Sequence, residues 1–401
     1  MRRLASPIAL LCLVWAGVPA TAAPGDRVTI WESGSVADAT LGAAELTAAI
    51  LGGELTIIRG GTLRLMAVTR DGVDVQRPAA GFGYPMSVTA VPSAEAAVVD
   101  ARLPAVLGQG RAVMSERSAA LRGAEVGDVI TMEGWNGELI DMALGAILPD
   151  DRLGFAEIVM SEGWADRLDF DRLSSLVISG AGSSEVVTTF DSLAPDGPIR
   201  VGTISDPITF VDPVLSTVAV KERFGEFAFR PTGVGDAIEI DDVWVDANIV
   251  TVDLPRLGVF KCNRAIVPSL RGALTEMARS GVLDLIDPVD FQLAGGCFNS
   301  RMARGGDKGF ALSRHAWGVA VDLNPSTNLY GDPVTLDPRL GSIMQAWGFS
   351  WGANWTVPDG MHFEWVRYPD PAGSCPGVRL LETGRAAQPW SVEMIDEPCA
   401  T

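Results

Sequence analysis

The chain has 401 residues, of which 47% are hydrophobic and 20% charged, so it is neither a disordered nor a fibrous protein. At roughly 100 to 200 residues per domain it holds two domains or three, each long enough to bury a core. With 50 acidic against 31 basic residues the net charge is -19, which argues against an electrostatic footprint for nucleic acid or for an anionic membrane surface.

In chain order, Met1, Arg2 and Arg3 precede an apolar run from Ile8 to Val18 and the small-residue segment Ala20-Thr21-Ala22-Ala23-Pro24. This is the pattern of a secretory signal, residues 1–22, with cleavage after Ala22; an uncleaved anchor is the alternative. No later segment is apolar for long enough to span a bilayer. The mature chain is therefore expected to have no membrane span and to work outside the cytoplasm, secreted or in the cell envelope.

From residue 23 to residue 254 short β-rich runs alternate with Gly, Asp and Pro breaks. Val28 to Trp31, Leu55 to Ile58, Thr62 to Val68, Val129 to Met132 and Leu139 to Leu148 read as strands, and Ala37 to Leu51 and Ser115 to Leu121 as helices. The expectation is a mixed α+β region, one domain or two small ones meeting near residues 90 to 110. Gly110 to Met132 weakly resembles the extracytoplasmic core module of some bacterial transport and cell-division proteins, which implies a scaffold or an interaction with a cell-envelope partner.

The character changes near Pro255. Ile266 to Val282 has helical spacing, with Leu270, Leu274, Met277 and Val282 on one side, and Phe291 to Phe298 reads as a strand with a Gly295-Gly296 break. This second unit spans residues 255–369, and a Pro- and Gly-rich tail occupies 370–401. Cys12 leaves with the signal, while Cys262, Cys297, Cys375 and Cys399 remain. An even number in an exported chain favours disulfides. Of three pairings, Cys262 with Cys297 and Cys375 with Cys399 closes the shorter loops and ties down the tail.

There are two histidines, His315 and His362, so imidazole chemistry is confined to one region. In Gly318 to Leu323 alternation puts Ala320, Asp322 and Asn324 on one face of a strand. If the preceding loop folds back, His315 meets the Asp322 carboxylate. His362 sits in Pro358-Asp-Gly-Met-His-Phe-Glu-Trp365, again a turn followed by a strand. Two imidazoles and one carboxylate with a fourth position open is a set that catalytic zinc uses. A zinc site also needs a base beside its water, and Asp359 and Glu364 are the carboxylates near His362.

Ser313-x-His315-x-x-Gly318-x-Ala320-x-Asp322, then Trp351-Gly352-x-x-Trp355, then Asp359-x-x-His362-Phe363-Glu364, resembles the zinc D-alanyl-D-alanine carboxypeptidases and L-alanyl-D-glutamate endopeptidases of peptidase family M15. The resemblance covers Pro255 to Pro369 and leaves the N-terminal region unmatched. It implies a small antiparallel sheet flanked by helices, Zn2+ held by His315, Asp322 and His362, and Asp359 as catalytic base. Many members have Glu at that position. Glu364 is implied as an outer support of His362, and Arg301 and Ser313 as the groups that hold the substrate, with Arg304 the second choice of arginine. Trp317, Trp347, Trp351 and Trp355 are assigned to aromatic packing. The expected activity is zinc-dependent hydrolysis of peptidoglycan stem peptides, by an L-alanyl-D-glutamate endopeptidase or a D,D-carboxypeptidase. The reading from another class is a non-catalytic peptidoglycan-binding or envelope scaffold protein.

Overall fold

The computed structural model describes residues 27–32, 35–154, 156–197, 199–203, 214–303, 311–355, 357–369, 378–385 and 388–394. The signal segment, Arg304, Cys375 and Cys399 lie outside the described residues. The fold is α+β.

In the N-terminal half one strand organises the rest. Leu55–Ile58 and Thr62–Val68, expected as separate strands, form a single 17-residue strand, Glu54–Arg70. Gly60 does not break it, because the backbone there runs against a neighbour: a Cβ at residue 60 would lie 2.7 Å from Ser174 Oγ. The strand changes partners along its length. Its first residues pair with Leu173–Ser179, and its later ones with Tyr84–Val91 and Val129–Glu133.

From Tyr84–Val91 the pairing passes through Ile158–Ser161, Ala112–Ser115, Leu139–Leu148 and Val129–Glu133, and so returns to Glu54–Arg70. This closed circuit removes free edges, and its strands bury Leu63, Leu65, Met86, Val88, Met114, Ile130 and Met142. On the other side, Leu173–Ser179 leads to Arg27–Glu32 and Ile199–Thr203. There helix Asp38–Leu51 lays Ala43, Ala44 and Ala48 in one cluster with Ile30, Ile178 and Phe190.

A second hydrophobic cluster runs from Val220 to Trp365 and includes Phe224, Phe227, Phe229, Trp244, Leu270, Leu274, Trp317 and Phe363. It holds helix Val267–Arg279, whose buried face carries Leu270, Leu274 and Met277 as the periodicity predicts. It also holds a three-stranded antiparallel sheet in the order Ala320–Asp322, His362–Trp365, Phe349–Trp351. Phe291–Phe298 is not a strand. Residues Pro288–Ala294 form a helix, because the Asp287 carboxylate caps it by accepting from the backbone N–H groups of Val289 and Asp290. Gly295, at φ 85°, ends it. Cys262 and Cys297 are joined by a disulfide, with Cα atoms 4.8 Å apart. In the tail, Val378–Arg385 and Gln388–Met394 pair antiparallel. Among the described residues no helix is long and apolar enough to cross a membrane.

Helix Thr217–Phe224 joins the two halves. Its Lys221 is buried, with Nζ 2.8 Å from both Glu157 carboxylate oxygens and 3.0 Å from Glu226 Oε1, and it also donates to the Pro85 carbonyl. Arg122, from the N-terminal half, pairs with Glu226 and lies 3.6 Å from Glu157. Burial pushes the Glu157 carboxyl up, but Lys221 and Arg122 together hold it below its usual value. Two cations and two carboxylates thus neutralise one another inside the junction.

Removing one partner strands buried charge, which costs about 3–5 kcal/mol. Lys221→Met is expected to lower stability by about 3 kcal/mol, read as a shift of the denaturation midpoint in urea. The double variant Lys221→Met/Glu157→Leu should recover part of that loss, and an unchanged midpoint in the single variant would refute the account.

Candidate metal centre

Two local devices, a capped turn and a strand pair, place the three candidate donors. His315 lies in a single 3-10 turn, Arg314–Trp317, which Ser313 opens by accepting a hydrogen bond from the His315 N–H at 3.3 Å. Gly318 closes the turn at φ 67°, a left-handed conformation that L side chains rarely adopt. The His315 Nδ1 is 3.2 Å from the Cys297 carbonyl. With Nδ1–H donating there, the lone pair of Nε2 faces inward.

Asp322 and His362 come from paired strands whose register sets them directly opposite each other, with Ala320 opposite Glu364. The His362 Nδ1 is 3.0 Å from Asp322 Oδ1, and the His315 Nε2 is 3.2 Å from the same oxygen. All three side chains are buried, and one ligand atom from each lies within 4.8 Å of the others. Around a tetrahedral ion with bonds of about 2.0–2.1 Å, donor atoms stand roughly 3.3 Å apart. The two separations from Asp322 Oδ1, 3.2 and 3.0 Å, fit that figure. The His315 Nε2 is moreover buried with no hydrogen-bond partner among the described residues, so its lone pair is free to bind a cation. By donor type, spacing and this orphaned nitrogen, the cluster fits a zinc-sized ion.

The electrostatics agree. Burial would raise the Asp322 carboxyl, but His315 and His362 hold it well below the usual carboxylate range. Burial would lower His362, yet Asp322, Glu364 and Asp359 push it up to about 10. Three carboxylates face this imidazole, and the pocket demands positive charge.

The remaining predicted site residues gather at the same place. Glu364 has Oε2 3.5 Å from His362 Nε2, on the same strand face two residues on. Asp359 sits in the turn before His362, and its backbone N–H donates to the Gly352 carbonyl at 2.9 Å. Its Oδ1 is buried with no hydrogen-bond partner among the described residues. Burial raises the Asp359 carboxyl, a rise that His362, His315 and Arg301 oppose. Arg301 therefore lies within electrostatic reach of it. The Ser313 N–H donates to the Arg301 carbonyl at 3.3 Å, which brings these two residues together, although the Ser313 hydroxyl is already engaged by the His315 N–H.

Trp317 and Trp347 are core residues. Trp351 stacks on Phe363 at 5.6 Å and donates from its indole to the Gly360 carbonyl at 2.9 Å, which braces the turn holding Asp359. Trp355, read from the sequence as a packing residue, has its ring 5.4 Å from that of His362. Tyr330 has no counterpart in the sequence reading; its phenol is raised by burial and by Asp359. A cavity of ≈ 210 Å³ opens beside Asp322 between Leu293, Pro325, Leu329 and Met361. Its mouth was not legible because Leu293 and Leu329 carry no motif.

A Cβ at residue 318 would lie 2.8 Å from the Asn263 backbone nitrogen and 2.9 Å from Ile249 Cδ1. The left-handed conformation alone costs a non-glycine residue about 1–2 kcal/mol. Gly318→Ala is thus expected to destabilise the protein by about 2 kcal/mol in urea titration, and a neutral substitution would show that the turn can relax.

No curated protein matches the chain. The family model of D-alanyl-D-alanine carboxypeptidases matches residues 306–365, a segment holding His315, Asp322, Asp359 and His362. The C-terminal part of the chain therefore carries a domain similar to the peptidases of family M15.

Proposed function

We propose that the protein is an exported zinc peptidase that hydrolyses peptide bonds in peptidoglycan stem peptides, as an L-alanyl-D-glutamate endopeptidase or a D,D-carboxypeptidase. The observation that carries this reading is the convergence of His315, Asp322 and His362 beside a buried, unpartnered Asp359 oxygen. A binding module has no need of a desolvated carboxylate held next to a metal set.

His315 Nε2, the Asp322 carboxylate and His362 Nδ1 would hold the ion. When bound, zinc makes water acidic enough to attack near neutral pH and polarises a carbonyl. Asp359 Oδ1 accepts the proton of the attacking water, and the same carboxyl returns it to the leaving amine. A raised Asp359 pKa suits both tasks, because a carboxyl with a higher pKa takes a proton more readily and still gives it to an amine. Arg301 offers paired donors to a carboxylate or carbonyl of the substrate, and Ser313 its hydroxyl. Glu364, facing His362 Nε2, fixes which ring nitrogen carries the proton and leaves Nδ1 to the ion.

Asp359→Ala is expected to retain zinc in equilibrium dialysis while losing turnover by about 10²–10⁴-fold. In His362→Ala the metal itself should be lost. Full activity in Asp359→Ala would overturn the base assignment.

The decisive measurement is mass spectrometry of defined muropeptides incubated with the mature protein, with chelator and after zinc restoration. Chelator-sensitive loss of terminal D-alanine identifies the carboxypeptidase, and cleavage after L-alanine the endopeptidase. If a zinc-loaded protein cleaves neither bond, the peptidase reading fails.

A further inference from the structure

We infer that Arg314 is a positioning residue of the metal centre, tying the segment that enters the C-terminal half to Glu364 and, through Glu364, to His362. The inference rests on the metal site proposed above.

Arg314 precedes His315 in the same 3-10 turn, but its side chain serves the other imidazole. Its Nη2 donates to the Leu215 carbonyl at 2.5 Å. Its Nε lies 3.8 Å from Glu364 Oε1, and the other oxygen of that carboxylate is 3.5 Å from His362 Nε2. The guanidinium also stands over the Trp317 ring, 5.9 Å from its centroid. The group is therefore held on three sides, with its side chain 17% exposed and that of Glu364 only 6%.

Leu215 is not an arbitrary partner. It lies just ahead of helix Thr217–Phe224, whose first turn Ser216 caps by accepting from the Ala219 N–H. That helix carries Lys221, buried between Glu157 and Glu226. The Leu215 carbonyl is thus fixed by the junction between the halves, and Arg314 converts its position into an orientation for Glu364.

The chemistry follows from charge. The two ring nitrogens of His362 meet two carboxylates, Asp322 at Nδ1 and Glu364 at Nε2. With Arg314 against one oxygen of Glu364, the other oxygen is turned to His362 Nε2, where it can accept the Nε2–H and leave Nδ1 for the ion. A guanidinium reaches a carbonyl and a carboxylate at once because its donors diverge in one plane, whereas an ammonium at the same position is a compact point charge without that fixed fork.

The test is the zinc affinity of the full mature chain, measured by competition with a chromophoric chelator. The set comprises wild type, Arg314→Met, Arg314→Lys, Glu364→Gln and the double variant Arg314→Met/Glu364→Gln. Loss of an outer support typically weakens metal binding about 10- to 100-fold, and Arg314→Met should fall in that range. Arg314→Lys should recover part of the loss. In the Glu364→Gln background Arg314→Met should cost little more, since its effect runs through Glu364.

An affinity for Arg314→Met within twofold of wild type overturns the inference, as does an equal loss in both backgrounds. Should Arg314→Met not fold, Arg314→Lys carries the comparison, and wild-type affinity there overturns it. A wild-type chain that binds no zinc overturns the metal reading and this inference with it; zinc binding without peptide cleavage removes only the peptidase.

Discussion

The site depends on one strand register. Ala320–Asp322 and His362–Trp365 run antiparallel with Asp322 opposite His362, Val321 opposite Phe363 and Ala320 opposite Glu364. Val321 and Phe363 are wholly buried in the hydrophobic cluster. Because side chains alternate with period two, seating that pair in the core sends Asp322, His362 and Glu364 together to the other face. A slip of one residue would bury the carboxylates among apolar groups and expose the core pair. Apolar burial, which knows nothing of chemistry, thereby fixes the donors. Ala320 adds room, since its small side chain stands across from Glu364.

The third donor cannot come from this ladder and is placed by the backbone instead. Three constraints meet at His315: the Ser313 cap, the left-handed Gly318 and the Cys297 carbonyl against Nδ1. The last is itself anchored, since Cys297 is bonded to Cys262 on the neighbouring hairpin Ile249–Leu254 and Gly258–Asn263. The disulfide thus acts on the candidate site at one remove, by holding the carbonyl that faces Nδ1 of His315. In a buried setting of low effective dielectric such small displacements of charge matter more than they would in water.

Much of the site could be read from the sequence because its spacing encodes geometry directly. Asp322 and His362 stand at the ends of β-like runs, Glu364 follows His362 by one strand repeat, and Gly318 ends a turn that can go no further. The misreadings have equally local causes. Phe291–Phe298 looks like a strand by its apolar content, yet Asp287-Pro288 is a helix start and Gly295 a helix stop, signals that outweigh a short apolar run. The pair Gly60-Gly61 reads as a break, but glycine there serves the close approach of Ser174. Tyr330 and Leu215 belong to no motif. Their proximity to the site arises from loops folding back, which no spacing along the chain expresses.

The four buried charges at the junction raise a different question, because ion pairs taken out of water are weak sources of stability. Apolar residues of similar volume at 122, 157, 221 and 226 could hold the halves together as well, and would do so in many relative orientations. Arg122, Glu157, Lys221 and Glu226 demand a particular arrangement instead: two carboxylates need two cations at close range, with Ser118 and Ser87 donating to Glu157 and the Pro85 carbonyl accepting from Lys221. The cluster therefore specifies geometry more than it adds binding energy. A few residues away, just ahead of the same helix, the Leu215 carbonyl accepts from Arg314. The N-terminal half is thereby joined, through one short segment, to the turn that carries His315.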